Sequence, residues 1–128
     1  MNVLDENIVA SQRQLLRSWK IHFQQIGAEI GRAGMKDRGE IIPFLHALRR
    51  PTFFTRDHDF YKPDLCHRGY CLVFLDVAFD EAAEFIRRFL RHVAFRTQAK
   101  RLGRVVRVRH GGLSYRQAGA KTARSLRW

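Results

Sequence analysis

The chain of 128 residues holds only two cysteines, Cys66 and Cys71. That count excludes a disulfide framework and fits a reducing, cytoplasmic setting. Zinc is not expected either, because Cys66, His67, Cys71 and His58 lack the spacing of a structural zinc site. No apolar run reaches the about 18 residues that a membrane span needs. The opening MNVLDENIVA carries acids early and lacks the basic segment of a secretory signal, so no leader is expected. There is no internal repeat and no sign of a second folded domain. The most informative gap is in charge: no acid follows Glu84.

Residues 86–128 hold 13 of the 24 Lys and Arg, whereas residues 1–85 hold 11 together with all 12 acids. The first two thirds are therefore at 11 − 12 = −1 and the last third at +13, for a net charge of +12. Such asymmetry points to a polyanionic partner, most simply nucleic acid. The competing explanation is a solvated tail and a basic helix face. Hydrophobic residues make up 45% of the chain, enough to build a packed core.

Strand and helix patterns alternate. Asn2 to Leu4 reads as a first strand and residues 9–19 as a helix with Val9, Leu15, Leu16 and Trp19 on one side. Ile21, Phe23 and Ile26 suit a second strand, followed by a loop with Gly27, Gly31 and Gly34. Asp37 is placed to cap a helix through about Arg49, with Pro43 in its first turn. TFFT (52–55) and YCLVFL (70–75) are apolar enough for strands covered on both faces. Asp80 opens a further helix, DEAAEFIRRFLRHV, with acids early and bases late. Leu102 to Val108 reads as a last strand at the sheet edge, with Arg107 and Arg109 facing solvent. The expected fold is α/β with a mainly parallel central sheet flanked by helices, spanning residues 1–110. Residues 111–128 read as a basic, flexible tail.

Six of the 12 acids fall in three short clusters at element ends: Asp5 and Glu6, Asp37 and Glu40, Asp57 and Asp59. In an open parallel sheet, ligands bind beyond the carboxyl ends of the strands. Taken singly, each acid has a structural explanation: a helix cap, a turn, an ion pair with Arg56 or Lys62, a solvated loop. As a set, carboxylates meeting at one sheet edge repel one another unless a cation lies between them. Oxygen ligands of this kind suit Mg²⁺ or Mn²⁺. Such a metal activates water and stabilises the oxygens of an in-line phosphoryl displacement. A basic body with an acidic notch therefore has the parts of a nuclease, with Lys and Arg holding the phosphate backbone. Thr55 either orients water or fills a strand end. Asn7 bonds Asp5 or a phosphate, or, as the favoured reading, caps the first helix. Along an extended backbone His58 points away from Asp57 and Asp59.

The strand end Asp5-Glu6-Asn7 and the segment Thr55-Arg56-Asp57-His58-Asp59-Phe60 together resemble the PIN-like nuclease superfamily. The likeness is to its small prokaryotic members with DEN and TRDxDF motifs, relatives of VapC-type toxins, and covers about residues 2–109. It implies a three-layer PIN-like fold and a Mg²⁺- or Mn²⁺-dependent ribonuclease, the toxin of a toxin–antitoxin pair. It implies Asp5 and Asp57 as metal ligands, Asp59 as a ligand or as a carboxylate behind the ligands, and Asp37 or Glu40 as the middle acid. Asp76 lies outside the motif but at another strand end. Arg56, Arg87, Arg88, Arg91, Lys100, Arg101, Arg107 and Arg109 are the candidates for holding RNA or for docking an acidic or DNA-binding antitoxin. A homodimer, a DNA substrate, and a catalytically silent RNA- or partner-binding descendant remain open.

Overall fold

The computed structural model describes residues 1–35 and 37–128, with the side chain of Asp37 also outside the described set. Two strands set the architecture. In β3 (Thr52–Thr55) and β4 (Cys71–Leu75) every residue is buried, as expected of strands covered on both sides. They lie inside a seven-stranded sheet of order β2-β1-β3-β4-β5-β6-β7. The other strands are β1 (Asn2–Leu4), β2 (Gln24–Gln25), β5 (Arg104–Arg109), β6 (Gly112–Gln117) and β7 (Arg124–Leu126). Pairing is parallel from β2 through β5 and antiparallel at β5–β6 and β6–β7. Helices α1 (Ala10–Ser18), α2 (Asp37–His46), α3 (Ala82–Arg91) and the short α4 (Gln98–Arg101) complete the fold. No described helix is long and apolar enough to cross a membrane.

Several expectations need correction. The second strand is only Gln24–Gln25, because α1 ends in a left-handed turn at Lys20 (φ 59) and the Ile21 N–H bonds back to Leu16 O at 3.0 Å. Ile21 and Phe23 thus pack on the core from a helix end and a loop. Residues 111–128 are not a frayed tail. They turn at His110-Gly111 and return as β6, then β7, which extend the sheet. The boundary expected at residue 110 therefore falls inside a hairpin. The overlooked signal was Leu113 and Tyr115 alternating with Ser114 and Arg116. For the same reason β5 is an interior strand between β4 and β6, and not an edge.

Alternate strand residues feed two cores. Phe54, Cys71, Val73, Leu75, Val106 and Val108 join Leu16 of α1 and Phe85, Ile86 and Phe89 of α3. Phe53, Leu72 and Val105 join Ile41 and Leu45 of α2. Each fully buried Phe or Leu contributes about 1.5–3 kcal/mol relative to exposure. The topology then fixes the site. From β1 the chain passes to β2 on one side, then crosses back to β3 on the other. Connections leave in opposite directions at β1 and β3, which opens a crevice beyond their carboxyl ends.

Candidate active site at the β1–β3 crevice

Asp5 follows β1 directly and continues its ladder, its N–H donating to Phe54 O at 3.0 Å. Asp5 is only 7% exposed. Its Oδ1 accepts the Glu6 N–H at 2.7 Å, and its Oδ2 accepts the Thr55 hydroxyl at 2.7 Å and Asn7 Nδ2 at 3.3 Å. Thr55 Oγ1 in turn accepts the Asp57 N–H at 3.0 Å, and Asn7 Oδ1 accepts the Arg56 N–H at 3.2 Å. The ends of β1 and β3 are thus stitched together by the same residues that carry the two motifs. Buried Gln25 adds a brace, donating to Asp5 O at 3.3 Å and Ile8 O at 3.1 Å.

Asn7 therefore does not cap α1. The N-cap position is Val9, which makes no side-chain cap bond. Fully buried Thr55 positions Asp5 and Asp57. Glu6 accepts the Gly34 N–H at 2.7 Å and so ties the glycine loop to the site. Gly27 (φ +88) lets that loop pass, since a Cβ there would meet the Glu6 carboxylate at 3.1 Å.

Asp5, Glu6, Asn7, Gly34, Met35, Ile41, Asp57 and Phe60 line one cavity of about 280 Å³. Burial pushes the Asp5 carboxyl above the usual carboxylate range. The bonds from Thr55 and the Glu6 N–H oppose that rise, and the charges of Asp57 and Glu6 add to it. Asp57 caps a 3₁₀ turn, His58–Phe60, by accepting the Asp59 N–H at 2.9 Å. This turn overturns the expected direction of His58. The backbone is not extended past Asp57, and His58 Nε2 lies 3.3 Å from Asp59 Oδ1. Asp57, His58 and Asp59 each present one ligand atom within 4.8 Å of the others. The two carboxylates are oxygen donors of the kind that suits Mg²⁺ or Mn²⁺, and the imidazole is not. Asp57 alone belongs to both this group and the cavity that Asp5 lines.

The remaining acids lie elsewhere. Glu40 is ion-paired with Arg32 and does not line the cavity. The Asp37 side chain lies outside the described residues. Asp76 accepts Arg107 Nε at 3.0 Å and Nη2 at 2.5 Å, in a separate cleft.

The expected basic rim is dispersed. Arg56 donates from Nε and Nη2 to Val77 O, both at 3.2 Å, as a strut. Arg87 stacks on Trp19 at 3.7 Å and pairs with Glu84, which also holds Arg88. Lys100 donates to Val93 O at 3.0 Å, and Arg101 to Thr52 Oγ1 at 3.0 Å and Phe95 O at 2.9 Å. These last two belong to α4, before β5, so they lie at the amino edge of the sheet and share no rim with Arg107 and Arg109. Arg91 and Arg109 are exposed and make no ion pair among the described residues. No family model, curated protein or solved structure matches the chain.

Proposed function

We propose that this protein is a Mg²⁺- or Mn²⁺-dependent nuclease of PIN-like type acting on RNA. Its two cores, one on each side of the parallel strands, serve as the outer layers of a three-layer fold. The observation that carries the reading is the convergence of Asp5 and Asp57 on one cavity at the β1–β3 crevice, with Asp5 buried among fixed donors. When bound, the divalent cation supplies positive charge against the phosphodiester oxygens and lowers the pKa of water. The chain's own residues do the rest. Thr55 and the Glu6 N–H hold the Asp5 carboxylate in one orientation. Asp57 and Asp59 present oxygens on the solvent side of the same turn. The net charge of +12 draws the polyanion in. In a cell such an activity needs restraint, and an acidic antitoxin is the partner this charge would accept.

The test is cleavage of end-labelled single-stranded RNA with Mg²⁺ or Mn²⁺, with a matched DNA strand and a chelator control. Wild type cuts, and Asp57→Asn and Asp5→Asn do not. Metal-dependent cleavage retained by both variants overturns the reading. A second reading, an RNA-binding module without catalysis, is favoured by the pairing of Glu40 with Arg32, which takes one expected acid away from the cavity. Its result is RNA binding without cleavage, indifferent to chelator.

A further inference from the structure

We propose that the outer face of β5 and β6, flanking the Tyr61–Cys66 segment that crosses it, is a platform for single-stranded nucleic acid, continuous with the carboxylate crevice. The inference rests on the nucleic-acid reading above and not on catalysis. Strand alternation carries it. Val106 and Val108 of β5, and Leu113 and Tyr115 of β6, point into the first core. Their neighbours Arg107, Arg109 and Arg116 share the opposite face, with Arg107 beside Ser114 and Arg109 beside Gly112 in the register. On that side of the sheet the second core ends at Leu72 and Val105, Tyr61 reaches on to Ser114, and Arg109 is left exposed and Arg116 half-buried.

The face leads directly to the site. Between it and the 3₁₀ turn lies a cleft of about 460 Å³ lined by His58, Tyr61, Lys62, Phe74, Asp76 and Arg107. The Tyr61 hydroxyl lies 3.0 Å from Ser114 Oγ and anchors the turn to β6. His58 belongs to both places, edge-on to Phe74 at 6.5 Å and grouped with Asp57 and Asp59. From the β1–β3 crevice to the β4–β5 cleft is two strand spacings, about 10 Å. A flexible single strand spans that distance along the carboxyl edge.

The charge selects the ligand. Asp76 is already engaged by Arg107. Lys62, Arg109 and Arg116 make no ion pair among the described residues. A solvated face explains one such cation easily, and three on one face less so: Lys62 lines the cleft, Arg109 stands at the carboxyl end of β5, and Arg116 lies beside Val105 toward its other end. Cations that track a backbone, with tyrosine and histidine rings for bases, form the usual surface for unpaired strands.

The experiment is fluorescence anisotropy of a labelled single-stranded RNA in chelator, where nothing is cut, over a series of salt concentrations. Arg109→Ala/Arg116→Ala is compared with Arg49→Ala/Arg96→Ala, which removes two exposed arginines at the opposite edge. Circular dichroism checks that both variants fold. The platform variant binds about tenfold more weakly at moderate salt, and its slope of log K against log salt falls by about 1.4, two contacts at about 0.7 each. The control shows neither change. Equal losses in both variants, or no binding by wild type, overturn the platform. So does displacement by polyglutamate as efficient as by unlabelled RNA, which assigns the face to an acidic protein. A DNA strand of the same sequence shows whether the sugar is read, and binding of either strand through Arg109 and Arg116 supports the proposal. Platform-dependent binding by a wild type that never cleaves keeps this inference and removes only the catalytic one.

Discussion

The hydroxyl of Thr55 donates to Asp5 Oδ2 at 2.7 Å, joining two residues 50 positions apart. The same oxygen accepts from the Asp57 N–H and from Asn7 Nδ2. One buried hydroxyl thus holds the carboxylate of Asp5 and the backbone of Asp57, the two acids that line the crevice. Thr55→Val keeps the shape, strands the Asp57 N–H and removes one bond each from Asp5 Oδ2 and Asn7 Nδ2, which keep their bond to each other. The expected cost is about 1–3 kcal/mol in urea unfolding, with Thr55→Ser restoring most of it. Unchanged stability in Thr55→Val would remove the hydroxyl from this role.

Divalent cation should raise the melting temperature. At a concentration 100 times the dissociation constant, binding to the folded state contributes about 2.7 kcal/mol, roughly 10 °C for a chain of this size. Calorimetry with Mn²⁺ should show the shift in wild type and lose it in Asp57→Asn. An equal shift in both would locate the cation elsewhere.

Burial raises the Asp5 carboxyl in the folded state, so folding favours its protonated form. That contribution is fully present below the unfolded value of about 3.9. It is lost as pH rises through the folded-state value. Without metal, Asp5→Asn should therefore melt above wild type at pH 7, and the gap should close toward pH 4. Cation stabilisation of wild type runs the opposite way, growing as Asp5 ionises. A melting difference that does not change with pH would place the raised carboxyl on another residue.

Gly112 opens β6 with φ +152, and a Cβ there would lie 2.4 Å from the carbonyl oxygen of Leu126. Gly112→Ala should push β7 off the sheet at a cost of about 1–3 kcal/mol. Hydrogen exchange should show it directly, with the β7 amides losing protection while those of β3 and β4 keep theirs. Protection retained throughout would mean that β7 adapts without separating.

How far the sequence carried depended on whether a segment's partners were local. β3 and β4 were legible because burial on both faces leaves an unbroken apolar run, and TFFT appears as a strand with its expected bounds. β6 and β7 were hidden by bases. Half of each strand faces water, and a one-sided strand in a charged stretch resembles a solvated tail. His58 was misdirected because a 3₁₀ turn replaced the extended backbone that alternation assumes. Asp5 and Asp57 were legible as a pair, whereas Glu40 was lost to Arg32.

The sequence by itself determined the alternating α/β order, the apolar central strands, the charge asymmetry and the two acid-bearing motifs. Each of these follows from composition and local periodicity, which fix whether a segment buries one face, two or none. Only the tertiary structure decided that β1 and β3 would be neighbours at a reversal of strand order, and that Thr55 would bridge Asp5 and Asp57. It also decided which arginines act as struts and which face solvent. Those outcomes depend on pairing between residues far apart in the chain. Register and topology choose such pairs, and the local pattern around either partner does not record the choice.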